Sequence, residues 1–408
     1  MNKRKLQLLM GSTDNSIRIP DAAFSFVPFK IIKKGSTISV DPSFNLQTYA
    51  NITVSKTYYV DSSAGDDGNT GLSWIQAFAT MLPVGAAGDA DRVYFADGTY
   101  LQKNQMSIPA RSCEYIGLGT VNLTSGVNNQ MGAWSHVDTH WESTIAEYIS
   151  MAYDHANLTT LGSDIRLTPK DSIAEVDAAA NSIYVNWVAR TVYIHTFDSR
   201  EPDANLFFYD STAFAIAADN RVAYFENIIF DRRFYGANGS ATGGAKLYFK
   251  DCTFGFISIA GVSEIILQGC IARGHYDDAI NYDALNSIVP DVIEINCEIY
   301  DTGTAGSNQC STAHTGCTVV RINGDYHDCT GQIIADIGTG YTWCLGLEAY
   351  KSTSGIGFYS NVSMWLDTCH SHDNATYDLQ NTSGNTIYIR NCTLAKGVND
   401  IGGTLATY

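Results

Sequence analysis

The chain is predicted to be all-β and wound as a parallel β-helix, a solenoid with an N-terminal cap and a small mixed insertion. Three observations carry this. From about residue 222 a short unit recurs eight times: "YFENIIFD", "YFKDCTFG", "ILQGCIAR", "EINCEIYD", "RINGDYHD", "CLGLEAYK", "LDTCHSHD" and "IRNCTLAK". Each unit has one punctuating residue, in order Asn227, Asp251, Gly269, Asn296, Asn323, Gly346, Thr368 and Asn391, spaced 18 to 27 residues apart. On either side of it apolar residues fall on alternate positions, the period of a strand. Asn, Asp and Gly adopt left-handed backbone angles at the lowest cost, so they let a chain turn sharply from one short strand into the next. A unit of this length is one coil of a stacked solenoid rising about 4.8 Å per coil. Leucine-rich repeats have similar lengths, but their recurring leucine pattern is absent.

Taken in order, residues 1–56 have no clear period. Residues 57–130 open the solenoid: "YYVDSSAGDDGNTGLSWIQAFATM" reads as strand, Gly/Asp/Asn turn and short helix, and "DRVYFADGTY" as a strand closed by a turn. Residues 131–180 hold the best helical candidates, "HWESTIAEYISMAYDHA" among them, and are predicted to be an insertion. Strand signals return at "NSIYVNWVARTVYIHTFD", so the coils are placed at 181–400, with a tail at 401–408.

Bulk composition narrows the partners. The 408 residues are 45% hydrophobic, with 35 glycines, 24 tyrosines and a net charge of −17. Such a field repels phosphate backbones and anionic membranes, so no nucleic-acid partner and no membrane insertion are expected. The opening "MNKRKLQLLM" is basic, but its apolar run is shorter than the roughly 7–15 residues of a secretory signal.

Alternation assigns faces. The residue after each turn (Ile228, Cys252, Cys270, Cys297, Gly324, Leu347, Cys369, Cys392) and the one two further on (Phe230, Phe254, Ala272, Ile299, Tyr326, Ala349, Ser371, Leu394) should point inward. Five of the ten cysteines sit in the first of these columns, where free thiols pack as small hydrophobes; disulfides between adjacent coils (Cys252 with Cys270, Cys369 with Cys392) are the alternative. The outward columns collect Glu298, Asp325, Glu348 and His370 in one row, and Arg273, Tyr300, His327, Tyr350 and His372 in the other. Carboxylates on successive coils suit glycoside hydrolysis, in which one acts as acid and another as base or nucleophile. Aromatic rings and imidazoles suit a sugar polymer. Glu298, Asp325 and Glu348 are therefore the main catalytic candidates, with Arg273, Tyr300, His327, Tyr350, His370 and His372 as substrate-binding candidates. A lyase would instead need a base such as His327, Tyr300 or a lysine, and calcium or Arg273 to neutralise a uronate. Solvated surface is the alternative reading of the whole patch.

The stretch "ARGHYDDAINYD" adds His275 as a binding candidate and Asp277 and Asp278 as catalytic ones. Alternation aims at most one of the two carboxylates outward, which makes the stretch a rim of the groove. "QCSTAHTGC" brings Cys310, His314 and Cys317 close together, yet its spacing matches no common zinc site. His314 is kept as a substrate-side candidate. "DSSAGDDGNTG" lacks the bidentate Glu of a calcium loop and reads as a turn. No metal site is predicted, and no cofactor is required.

The opening motif, "YYVDSSAGDDGNTGLSWIQAFATM" followed by "VYFADGTY", resembles the start of right-handed parallel β-helix proteins of the pectate-lyase-like superfamily. "VYIHTFDSREPDANLFFYD" is similar to a segment preceding the coils in many polysaccharide-degrading members. The superfamily includes lyases, hydrolases, epimerases and bacteriophage tailspikes, and the chain looks most like the tailspikes. That resemblance implies a homotrimer that binds and cleaves a bacterial surface polysaccharide, works with other virion tail proteins, is made in the host cytoplasm and acts on a phage tail at the cell surface, with residues 1–56 as virion attachment. Asp277-Asp278 followed by His314 is similar in order to the motifs of polygalacturonase-type hydrolases, but Ala313 and Thr315 replace their glycines. A non-catalytic receptor-binding protein of the virion and a bacterial pectate-lyase-like lyase are the alternatives.

Overall fold

The computed structural model describes residues 16–101, 111–124, 126–128, 133–145, 149, 151–209, 214–215, 220–231, 234–237, 244–275, 277–303, 308–382 and 384–408. The basic opening and part of the predicted helical stretch lie outside them. The chain is a right-handed parallel β-helix with three strands per coil, each strand pairing in parallel with its counterpart one coil later. Thr57–Val60, Arg92–Leu101 and Cys113–Thr124 begin the stack, and the last of these pairs with both Val222–Glu226 and Ile229–Asp231. Between the opening strands lie a 3-10 turn at Trp74–Gln76 and a helix at Leu82–Ala87, slightly beyond the stretch expected to be helical.

The turn between the first and second faces carries the repeat. All eight punctuating residues have positive φ, from 51° at Asn296 and Asn323 to 64° at Gly269. Thr368 does so at 58°, although a β-branched residue gains nothing there. A second left-handed column stands near the ends of the second-face strands, at Asp301, Asp328, Lys351 and Asp373, with φ of 52–58°. It ends the alternation and turns Thr302, Cys329 and Ser352 back into the interior.

The inward columns fill the lumen as alternation requires, and stacked Phe225 and Phe249 (5.1 Å) and Phe230 and Phe254 (5.1 Å) continue it on two faces. Gly324 stands in the cysteine column because a Cβ there would lie 2.1 Å from the Tyr326 ring, whose hydroxyl reaches Glu294. All ten cysteines are free; nine are buried and Cys392 is half-buried, so the bridged alternative is not realised.

The lumen is not wholly apolar. On the first face the inward column runs Phe225, Phe249, Leu267, Glu294, Arg321, Cys344 and Leu366. Arg321 is fully buried and forms a two-pronged pair with Asp336 (2.6 and 2.9 Å), lies 3.5 Å from Glu294 and donates to Ser311. A charge inside a solenoid is tolerable only when paired in this way.

The outward column of the same face is apolar: Tyr224, Tyr248, Ile266, Ile293, Val320, Trp343, Trp365 and Tyr388. Residues 16–52 cover it as a strap that runs against the direction of coil growth. Phe24 packs on Trp343 and Trp365, Lys33 donates to Thr368 (2.6 Å), and Asn323 donates to the carbonyl of Ile38. The helix Leu46–Ala50 then reaches the first coils, where Tyr49 donates to Glu264 (2.8 Å).

The described strands between Thr124 and Phe214 form two small sheets, largely antiparallel. One contains Gly126–Asn128, Met151–Leu158, Asp164–Arg166 and Leu206–Tyr209; the other contains Ser135–Val137, His140–Thr144, Thr168–Pro169, Ser182–Asn186 and Thr191–His195. The expected helix "HWESTIAEYISMAYDHA" is corrected: His140–Thr144 and Met151–Leu158 are strands. Ile145, Ile149 and Ala152 are buried with Leu206 and Phe208, so their spacing serves a two-sheet core, not a helical stripe. The strands at 182–209, expected among the coils, belong to these sheets, and the coil strands resume at Phe214–Ala215, which pairs in parallel with Phe234–Ala237.

Candidate functional site

The second face is open to solvent over its middle coils, and its register places the expected residues in two ladders. Glu298 pairs with Asp325, Asp325 with Glu348, and Glu348 with His370. Arg273 pairs with Tyr300, Tyr300 with His327, His327 with Tyr350, and Tyr350 with His372. The strands place one such residue per coil because the turn columns hold the coils in step.

In the aromatic ladder the rings stack on one another. Tyr300 and His327 lie 5.1 Å apart at 6°, His327 and Tyr350 4.8 Å at 14°, and Tyr350 and His372 4.9 Å at 8°. Arg273 closes the lower end, with its guanidinium 5.9 Å from the Tyr300 ring centre and donating 2.8 Å to the Tyr300 hydroxyl. The expectation of open ring faces for sugars therefore changes: the faces cover each other, and the ladder presents edges, that is, hydroxyls and ring nitrogens.

Hydrogen bonds orient the imidazoles. Nδ1 of His327 lies 2.6 Å from Asp328, whose other contact is Lys351 at 3.3 Å; Nε2 of His327 faces Glu298 at 3.8 Å. Nδ1 of His372 lies 2.8 Å from Asp373 and its Nε2 3.4 Å from Glu348. These bonds, that to Asp373 foremost, hold the His372 pKa above its ordinary value. His370 approaches Glu348 at 3.5 Å. Asp328, Lys351 and Asp373 of the left-handed column thus supply partners for the ladder, a role the strand alternation alone did not indicate.

Asp325 is the centre of the carboxylate ladder, with Glu298 one coil below and Glu348 one coil above. Its Oδ1 is occluded from solvent and has no hydrogen-bond partner within bonding distance among the described residues, while the side chains of Glu298 and Glu348 are both half exposed. Burial first, and then the Asp325 charge, push the Tyr350 hydroxyl up to about 12, so it stays protonated as a donor at neutral pH. Glu298, Asp325 and His327 each bring one ligand-type atom within 4.8 Å of the others. Calcium asks for six to eight oxygens. Two carboxylates and an imidazole already bonded to Asp328 do not meet that, so the set does not fit the calcium expected for a lyase.

The remaining candidates lie elsewhere. His275 is buried, stacked on Phe256 at 4.4 Å, and its Nδ1 accepts from the Asp277 amide. Asp278 accepts from the Gln309 amide at 2.7 Å, and burial pushes its carboxyl up to about 6. Asp277 and Asp278 thus shape the turn between the second and third faces. His314 follows a third-face strand and contacts Thr312 (3.3 Å). The structure does not bring these four into the ladders.

Sequence reasoning missed the walls at the lower end of the groove. There the insertion leans over the second face: Thr159 donates to Asp301 (2.6 Å), and Tyr209 donates to Asp231 (2.9 Å). Two cavities open beside Arg273, one of 420 Å³ between Arg166 and Asp301 and one of 250 Å³ between Asp164 and Asp231.

No protein-family model matches the chain, and no curated protein matches it. Among solved structures it is similar to XylC in complex with xylose, at 12% identity and a TM-score of 0.57, over 83% of this chain and 70% of that one. It is also similar to a glycoside hydrolase at 9% identity and a TM-score of 0.51, over 86% of this chain and 96% of that one. At such identities the likeness shows a shared parallel β-helix fold, and the ladders have to speak for the chemistry.

Proposed function

We propose that the protein is a carbohydrate-active β-helix that binds a glycan along its second face and hydrolyses a glycosidic bond beside Asp325. The observation that carries this reading is the register Glu298–Asp325–Glu348, three carboxylates on consecutive coils flanked by a ladder of hydroxyl and imidazole edges. The two β-helix structures above, one holding xylose and one described as a glycoside hydrolase, support it by analogy of fold.

The adjacent carboxyls suit a retaining course: one carboxyl oxygen of Glu298 and one of Asp325 approach within 4.8 Å, close enough for the adjacent carboxyl pair that such a course needs. Asp325, recessed between the two glutamates, attacks the anomeric carbon while a neighbouring glutamic acid protonates the departing oxygen. That glutamate then takes a proton from water, whose oxygen displaces Asp325 and restores the carboxylate. Glu348 and Glu298 both adjoin Asp325; His370 and His372 can return protons to Glu348.

Elimination is disfavoured by the same geometry. Tyr350, titrating near 12, is a poor base, both nitrogens of His327 face carboxylates, and the ladder cations Arg273 and Lys351 already contact Tyr300 and Asp328. Placement on a phage tail, as a homotrimer acting on a bacterial surface polysaccharide, rests on the resemblance to the tailspike group alone. Incubation with a panel of plant and bacterial polysaccharides tests the reading. New reducing ends without unsaturated product are expected; unsaturated uronate absorbance would establish a lyase, and binding without any product would establish a non-catalytic receptor protein.

A further inference from the structure

From the closed lower end of the groove we infer that the site takes a chain end: the 250 Å³ cavity below Arg273 is a pocket for one terminal sugar, and the insertion stops the glycan there. This rests on the hydrolase reading and adds which part of the substrate it grips. The outward columns of the second face continue below Arg273 as Thr253 and Asp231, so a ligand following the ladder downward must arrive there. At these coils the face is roofed. His155 and Asp164 of the insertion form the roof and Asp231, Thr253 and Arg273 the floor.

Roof and floor are fastened on both sides. On one, Tyr209 donates to Asp231 at 2.9 Å and shares 3.2 Å with His155, whose ring lies on Phe207 at 4.2 Å. On the other, Thr159 donates to Asp301, next to Tyr300. Gly274, at φ 72°, lets the insertion close down: a Cβ there would lie 2.8 Å from that of Ser163. The volume is just under the roughly 300–1,000 Å³ of sites for larger ligands, and the lining offers two carboxylates, a guanidinium, an imidazole and a hydroxyl, the donors and acceptors a sugar's hydroxyls need. Glu298 lies one coil above Arg273 and Asp325 two, about 5 and 10 Å by strand spacing, so a terminal sugar in the pocket leaves room for one more sugar before the bond that Asp325 attacks.

The test uses the full chain against two sets of probes: p-nitrophenyl α- and β-glycosides of disaccharides, β-xylobioside included, and oligosaccharides of the same sugars labelled at one end. Release of nitrophenol from at least one disaccharide glycoside, with shortening of the matching oligosaccharide two sugars at a time from one end, is expected. Internal cleavage of oligosaccharides with every disaccharide glycoside untouched would overturn the pocket and leave the hydrolase reading intact. No cleavage of either kind would remove both. Thr253→Trp, which fills the pocket from its floor, should lower kcat/KM on the glycoside at least 100-fold at an unchanged Tm, and Asp164→Ala, on the roof, at least 10-fold. Full activity in folded T253W and D164A would overturn the inference.

Discussion

Two faces of the same coils, built on the same alternation, have opposite fates. On the first face the outward column from Tyr224 to Tyr388 is apolar, and the strap of residues 16–52 covers it. On the second face the outward columns from Glu298 to His372 are charged or aromatic with polar tips, and their middle coils stay open. The backbone does not distinguish them, since both are parallel ladders held in step by the same left-handed turns. What differs is whether the outward side chains gain more from leaving water or from staying in it. A solenoid can therefore spend one face on stability and another on chemistry, and changes on the two should separate cleanly.

The largest stability effects are expected behind and upon the first face. Arg321→Met leaves Glu294 and Asp336 buried without their cation and should cost about 3–5 kcal/mol, read by denaturant unfolding. Phe24→Ala empties the contact with Trp343 and Trp365 and should cost about 3–5 kcal/mol, with turnover per folded molecule unchanged. If F24A instead abolished turnover at full folding, the division between the faces would fail.

A smaller effect concerns pH. Asp278 titrates near 6 in the fold against 3.8 in the open chain, so folding favours its neutral form and stability falls as pH rises from about 4 through 6. Asp278→Asn should flatten that slope without touching the ladder. His372 has the opposite sense: its raised pKa favours the cation, so its stabilising contribution is present below about pH 6.5 and is lost as pH rises through the folded value. The smallest effect is expected at Lys351→Ala, whose exposed pair with Asp328 is worth less than about 1 kcal/mol.

The ladder was legible in the sequence because period-two alternation and a fixed turn residue specify both face and register. Every residue from Glu298 to His372 in the two outward columns stands where that arithmetic put it. The strap was not legible, because residues 16–52 pack one at a time onto an existing column and need no period of their own. Nor was the Arg321 network, whose charges occupy inward positions that the pattern reserves for apolar residues. The insertion misled by spacing: Ile145, Ile149 and Ala152 suit a helix as well as a two-sheet core. The walls of the pocket come from residues far apart in sequence, such as Asp164 and Arg273, and no local pattern links them.

The central claim is that Asp325 does the bond-making on the second face. The most direct measurement is turnover of Asp325→Asn, Glu298→Gln and Glu348→Gln on whichever glycan yields reducing ends, with Tm recorded for each. The account predicts that D325N loses at least 1,000-fold, on the order of 4 kcal/mol of transition-state stabilisation, at an unchanged Tm, and that one of the two glutamine variants loses nearly as much. D325N that cleaves normally while folding normally would contradict it.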